Sequence, residues 1–308
     1  MKVAITGVTG FVGTHLARRL EERGVEVVGV SRRTGVNVED GKALAAAFAE
    51  CTAIAHCAGI NREIGRQTYR RVHVDGTRAV VEAARRAGAR RIVTMSFLRA
   101  RPHCGSPYHE SKWAAEEIVR SSGLAYTVVK AGMTYGRGDH MLDHLSHSLH
   151  TLPLLASVGI HDAPVRPLAI DDLVNVLEAA LIDGRLTDQT VAITGAEELN
   201  FGDAVRRIAS VLGRRVWVVP APVWTHYALA QVFEWTMKVP LVAKAQVRIL
   251  SEGVVDPAPP CQPLPEDLVP RRRFTEQQIR AGLPGPGPFG LRDLRLCTRS
   301  TAAGISDR

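Results

Sequence analysis

The sequence predicts an α/β fold: a doubly wound parallel sheet, helices on both faces, followed by a smaller C-terminal α/β domain. Three observations predict it. Short apolar runs alternate with segments of helical period through about residue 130. The first run, Lys2-Val3-Ala4-Ile5-Thr6, leads at once into glycines at every third position, Gly7, Gly10 and Gly13. Beyond Gly136 the alternation gives way to histidine-, aromatic- and proline-rich stretches. The first domain is expected over residues 1–135, with 165–195 returning to it. The second takes in most of 136–308, ending in a C-terminal arm.

The elements follow in order. A helix is expected over His15 to Arg23, with Leu16, Ala17 and Leu20 inward. Strands are expected at Val25–Val30, Ala53–Ala55, Ile92–Met95, Ala125–Lys130 and Thr190–Thr194, each a compact apolar run. Val74-Asp75-Gly76-Thr77 opens a helix through Ala87, and Pro107 opens another through about residue 122. Asp171-Asp172 start a helix that turns Leu173, Val174, Leu177 and Ala180 inward, where acids suit the N-terminal dipole. Asn200 is expected to cap a helix from Phe201 to Leu212.

The glycine turn is where chemistry enters. A strand, a glycine-rich turn and a helix N-terminus together make a pyrophosphate cradle of the Rossmann type. Gly7 permits the tight turn, Gly10 lets backbone amides reach phosphate, and Gly13 lets the helix pack closely. Thr9, Phe11 and Val12 complete the loop. The spacing is G-x-x-G-x-x-G and not the usual G-x-G-x-x-G. At the end of the second strand an acidic residue would bind the adenosine ribose and favour NAD. Ser31, Arg32 and Arg33 stand there. Two guanidinium groups and a hydroxyl suit a 2′-phosphate, so NADP is expected over NAD.

Tyr108 and Lys112 lie four residues apart on the helix after Pro107, hence on one face. A nearby ammonium is expected to lower the tyrosine pKa. A tyrosine so tuned can act as general acid in reduction and general base in oxidation. Ser96, at the end of its strand, is expected to hydrogen-bond the substrate oxygen beside Tyr108.

With these motifs the chain resembles the short-chain dehydrogenase/reductase superfamily, in its extended and atypical, epimerase/dehydratase-like branches. The likeness extends over about residues 1–195. The C-terminal part, including Arg272-Arg273-Phe274-Thr275, loosely resembles the nucleotide-binding accessory subunit group of respiratory complex I. The resemblance implies that the stretch His56-Cys57-Ala58-Gly59 lines the adenine and ribose side of the cofactor, with Cys57, Ala58 and Gly59 against it, and that Asn37-Val38 stand near the adenine. It implies that Lys112 holds the nicotinamide ribose. His73 and Lys130 stand where extended members carry Asn and Arg, and Ala131 where Pro is common. A C-terminal substrate domain and a small-molecule substrate are implied as well.

Composition narrows the remaining classes. Net charge is +8 and the pI about 9.6, but the arginine doublets are scattered, without aromatic interleaving or a nucleic-acid module. Nucleic-acid binding is not expected. Five cysteines, at 51, 57, 104, 261 and 297, lack paired or metal-ligand spacing, which points to a reducing, cytoplasmic setting. A strand beginning at Lys2 argues against a targeting peptide, and no apolar run reaches spanning length. His140, His144, His147 and His150 read as a polar helix stripe and not as a metal site.

The C-terminal third should hold substrate choice. Val216–Val219 reads as a strand and Pro222–Lys238 as a helix carrying Trp224, Tyr227, Phe233 and Trp235. That helix can pack on the core, line an apolar pocket or rest on a membrane surface. Residues 256–270 hold six prolines and read as a wrapping arm. Thr275 with Gln278 looks like a capping box. The last stretch, from about Pro284, reads as mobile. The leading expectation is an NADP-preferring oxidoreductase with Ser96, Tyr108 and Lys112 as its catalytic set. Two alternatives stay open: an epimerase or dehydratase that retains its nicotinamide, and a non-enzymatic nucleotide-binding accessory protein. A homodimer through helix 108–122 stays open too.

Overall fold

The computed structural model describes residues 1–237, 244–285 and 287–289. The end of the aromatic helix at Lys238 and nearly all of the stretch read as mobile lie outside them. The chain divides into two compact units.

The first unit comprises Met1–Tyr135, Arg166–Glu198 and Val254–Phe274. Its strands are β1 (Lys2–Thr6), β2 (Glu26–Val30), β3 (Ala53–His56), β4 (Arg91–Phe97), β5 (Ala125–Ala131) and β6 (Gln189–Ile193). Its helices are α1 (Phe11–Glu22), α2 (Gly41–Ala47), α3 (Gly76–Arg86), α4 (Pro107–Arg120) and α5 (Ile170–Leu181). The sheet runs β6-β5-β4-β3-β1-β2 and every pairing is parallel.

Strand alternation explains why both faces are buried. Val3, Ile5, Ala53, Ala55, Val93 and Val129 face one core, closed by Leu16 and Leu20 of α1 and Leu173 and Leu177 of α5. Ala4, Ile54, Ile92 and Val128 face the other, closed by Leu44, Val80, Ala84 and Val119. The chain leaves β1 toward β2, then crosses back to β3. That reversal places a crevice beyond the carboxyl ends of β1 and β3, where the sheet's loops diverge.

Some elements differ from expectation at their ends. Helix α1 begins at Phe11 and not at His15, because the turn hands directly into the helix. A π-helical stretch, Arg70–Asp75, precedes α3. Asp172 does more than face the dipole. Its carboxylate accepts the Arg271 and Arg272 backbone N–H groups at 3.2 and 3.0 Å and pairs with the Arg272 guanidinium. The proline-rich arm is thereby tied down, and Gln262 N–H donates to Thr190 O at 3.1 Å on the outer edge of β6.

The second unit comprises Gly136–Val165, Leu199–Gly253 and the chain from Thr275. A parallel pair, Leu154–Val158 with Trp217–Ala221, is joined by helices His140–Thr151, Phe201–Val211, Val223–Thr236, Lys244–Glu252 and Glu276–Gly282. Asp139 caps the first of these through the Leu142 N–H at 2.7 Å; burial pushes its carboxyl up to about 6. Asn200 precedes the Phe201 helix but makes no side-chain cap bond. Asp162, brought in from another segment, accepts the Gly202 N–H at 2.9 Å in its place. Thr275 accepts the Gln278 N–H at 3.3 Å, as half of the expected box. Among the described residues no helix is long and apolar enough to cross a membrane.

Candidate active site

The site grows from the end of β1. Gly7 has φ +71°, a conformation that L side chains rarely adopt, and its N–H donates to Val30 O at 2.8 Å. A Cβ there would lie 2.8 Å from the Ala58 backbone, and one at Gly13 would lie 2.2 Å from Gly7 O. Gly13 thus serves the turn itself, allowing the first turn of α1 to sit on the loop that feeds it. Gly10 occupies the N-cap position, with no side-chain cap. The first amides of α1, at Phe11, Val12 and Gly13, have no partner within the helix. Thr9 is exposed beside them. An uncapped helix N-terminus behind a loop whose Gly7 and Gly13 leave no room for a Cβ fits a pyrophosphate.

At the end of β2, Ser31 is spent locally. Its hydroxyl accepts the Thr34 N–H at 3.2 Å and its own N–H donates to Thr34 Oγ1 at 2.8 Å, capping a short 3-10 turn. Arg32 and Arg33 are left exposed on that turn. Asn37 is exposed as well, while Val38 is buried in the core and would stand 3.0 Å from a Cβ on Gly76.

The loop after β3 joins the turn to the tyrosine. Cys57 N–H donates to Thr6 O at 3.1 Å, and burial pushes the Cys57 thiol up to about 12. A Cβ on Gly59 would lie 3.1 Å from Lys112 Nζ and 3.5 Å from His73 Nε2. Gly7, Ala58, Gly59, His73 and Lys112 therefore form one contiguous wall.

Behind that wall runs a buried chain of hydrogen bonds. Ile60 N–H donates to His73 Nε2 at 3.1 Å, so the neutral ring carries its proton on Nδ1. Nδ1–H then donates to Ser111 Oγ at 2.8 Å, and Ser111 donates to Tyr108 O at 2.9 Å. His73 O accepts from Thr77 Oγ1 at 2.5 Å. Thr77 in turn accepts from His56 Nε2 at 2.9 Å, leaving His56 Nδ1 to accept from Thr6 at 2.7 Å. Burial, with the nearby Lys112 cation, lowers His56 to about 3 and His73 to about 2, so both rings stay neutral. The chain links β1, β3, α3 and α4 without a formal charge.

Tyr108 is buried among rings, with Tyr69 and Phe97 each at 5.6 Å, His109 at 5.8 Å and His73 at 5.9 Å between centroids. Burial pushes its phenol up, not down as the lysine spacing alone suggests, and the neighbouring Tyr69 adds to the rise. Lys112 donates to Met95 O at 3.3 Å; burial pulls it down to about 8, against the attraction of Glu116.

Two residues expected here are placed elsewhere. Ser96 Oγ does not stand free for a ligand; it donates to Glu116 Oε1 at 2.5 Å. Lys130, fully buried, donates to Ala100 O at 2.7 Å and Ala258 O at 3.1 Å and lies 3.5 Å from Glu116 Oε1. Arg120 pairs with the other Glu116 oxygen at 2.5 Å. The structure thus gathers Ser96, Glu116, Arg120 and Lys130 into a second cluster, one to two turns down α4 from Tyr108 and Lys112. Glu116, Thr6 and Ser111 carry no role in the sequence analysis, and His56 and Thr77 enter it only as members of the His56–Gly59 and Val74–Thr77 stretches. The four-residue stripe Tyr108, Lys112, Glu116, Arg120 was the available signal for Glu116. Among the described residues no three His, Cys, Asp or Glu are grouped so as to hold an ion.

The chain is similar to several known proteins. The chain is 29% identical over 234 residues to an uncharacterized protein of Mycobacterium tuberculosis, which covers 72% of this chain and 24% of that one. It therefore spans about a quarter of that relative's length. It is 34% identical over 190 residues to a ceramide reductase of Caulobacter vibrioides, covering 54% of this chain and 60% of the relative. Its fold is similar to that of MoeE5 in complex with UDP-glucose and NAD, with a TM-score of 0.61, 22% identity, and coverage of 72% and 85%. The family model of the NAD dependent epimerase/dehydratase family matches residues 3–185, and the chain belongs to that family.

Proposed function

We propose that the protein is an NADP-preferring oxidoreductase, acting between a carbonyl and a secondary alcohol. The observation that carries this reading is buried Tyr108 with half-buried Lys112 one turn along the helix, joined through Gly59 and Ala58 to the glycine turn. The nicotinamide, when bound, supplies or accepts the hydride. Tyr108, protonated across the neutral range because burial raises its pKa, gives its phenolic proton to the substrate oxygen in reduction. Lys112 supplies positive charge beside it and donors for the ribose hydroxyls. Phe11, Val12 and Gly13 amides hold the pyrophosphate. Arg32 and Arg33, exposed on the turn after β2, take a 2′-phosphate. His73 and Ser111 hold the start of α4 in place and do not themselves touch the reacting atoms. Ser96 acts through Glu116, as an anchor of α4.

The reductase relative supports net reduction. The family and the UDP-glucose complex of MoeE5 support a second reading, in which the nicotinamide is retained and regenerated each turnover on a nucleotide sugar. Copurified nicotinamide, with no net absorbance change during turnover, identifies that case. The test of the shared chemistry is Tyr108→Phe. Turnover should fall by roughly 100-fold or more, while titration with NADPH is unchanged. Undiminished turnover overturns the assignment. NADPH should bind more tightly than NADH; the reverse order removes the role given to Arg32 and Arg33.

A further inference from the structure

We propose that the second unit carries a face that docks on the surface of an anionic lipid bilayer. The first observation is the helix Val223–Thr236. A helix on a protein surface ordinarily turns charge outward. This one does the reverse. Its exposed positions are Trp224, Ala228, Leu229, Val232, Trp235 and Thr236. They fall at three- and four-residue steps, one stripe along the helix. Trp224 is 72% exposed and Trp235 71%. The inward face holds His226 and Ala230, packed with Val158, Val247 and Leu250. The helix's one charged side chain, Glu234, is held by the Lys244 N–H at 3.0 Å.

The second observation is the adjoining strand pair. Trp217 is the register partner of Leu154. They are 73% and 57% exposed. Alternation puts Leu154, Ala156 and Val158 on one side of the pair. Val158 is covered by Ala230 and Val247, whereas Leu154 and Trp217 are not. The apolar sheet face thus runs out from beneath the helices.

Charge decides the occupant. Arg214 and Arg215 are exposed immediately before the strand that carries Trp217, and the chain as a whole carries +8. A second copy would bring like charge to like, whereas anionic headgroups attract it. Tryptophan suits the boundary between headgroups and acyl chains, with an apolar ring body and a polar N–H. The helix has 14 residues, too few to cross a bilayer, so it lies in the interfacial plane. Trp224 and Trp235 then anchor its two ends about 16 Å apart.

The proposal needs neither cofactor nor catalysis, so its failure leaves the oxidoreductase reading intact. The full chain is sedimented with vesicles of phosphatidylcholine alone and of phosphatidylcholine with phosphatidylglycerol, at low and high salt. Binding to the anionic vesicles is expected, weakened by salt, with quenching of tryptophan fluorescence by brominated lipid. Trp224→Ser with Trp235→Ser should weaken it by roughly tenfold or more, with NADPH titration unchanged as evidence of folding. Arg214→Glu with Arg215→Glu should abolish the preference for phosphatidylglycerol. No sedimentation with either vesicle, no brominated-lipid quenching, or full binding by the tryptophan variant overturns the proposal. Self-association of the wild type that the tryptophan variant abolishes, in light scattering, replaces the bilayer with a second copy.

Discussion

Two lysines, Lys112 on α4 and Lys130 on β5 beneath it, differ in their surroundings. Lys112, in the upper half, has a single carbonyl partner at 3.3 Å, and burial lowers it to about 8. Lys130, in the lower half, has two carbonyls and the Glu116 carboxylate, with Arg120 on the carboxylate's other oxygen and Ser96 donating to it. The lower half is satisfied. The upper half is left short of partners beside the glycine turn. A half-buried cation with few partners carries a desolvation cost that a bound anionic or hydroxylated ligand can offset. The contrast separates the half of the helix that is tied to the sheet from the half to which the proposed function assigns the chemistry.

Breaking the satisfied half should have the largest effect. Glu116→Leu leaves Lys130 buried with no counter-charge, at an expected cost of about 3–5 kcal/mol. Urea unfolding measures it, and adding Lys130→Met should recover most of the loss. A change below about 1 kcal/mol would mean that the cluster contributes little.

The unsatisfied half should show itself through pH. Lys112 has a folded pKa near 8, below its ordinary 10.5. Between those values the unfolded chain holds a proton that the folded chain does not, so stability rises with pH across that window. Relative to Lys112→Met, the apo wild type should gain on the order of 3 kcal/mol at most, read as thermal midpoints from pH 8 upward. A flat difference would place Lys112 in a better-solvated setting.

Ser96→Ala sharpens the boundary between the halves. As an anchor of Glu116, Ser96 should be worth about 1–2 kcal/mol of stability, with turnover per folded molecule nearly unchanged. A stable variant with turnover lost would move Ser96 into the upper half, against the substrate.

The parallel strands were legible because each is a short apolar run that must be buried on both faces. Their ends shifted by a residue or two. The glycine turn was legible because a strand, three glycines and a helix leave little else for the backbone to do. That Tyr108 and Lys112 stand one turn apart on a single helix was legible from spacing, but the direction of the tyrosine shift was not. Spacing reports the lysine four residues away and says nothing of Tyr69, Phe97 and His73 arriving from other segments. Ser96 illustrates the same limit. Its place at the end of β4 was readable, yet its partner, Glu116, is chosen by how α4 crosses the strand.

The sequence by itself determined the alternating elements, the turn at Gly7–Gly13 and the stripe on α4, because these follow from local periodicity and from a turn that needs a positive φ at Gly7 and leaves no room for a Cβ at Gly7 or Gly13. Tertiary structure alone decided which of the two lysines is paired with a carboxylate, which histidine nitrogen carries a proton, and that Trp217, Trp224 and Trp235 face outward. Those outcomes depend on desolvation and on partners distant in sequence, and neither is encoded in the spacing of a motif.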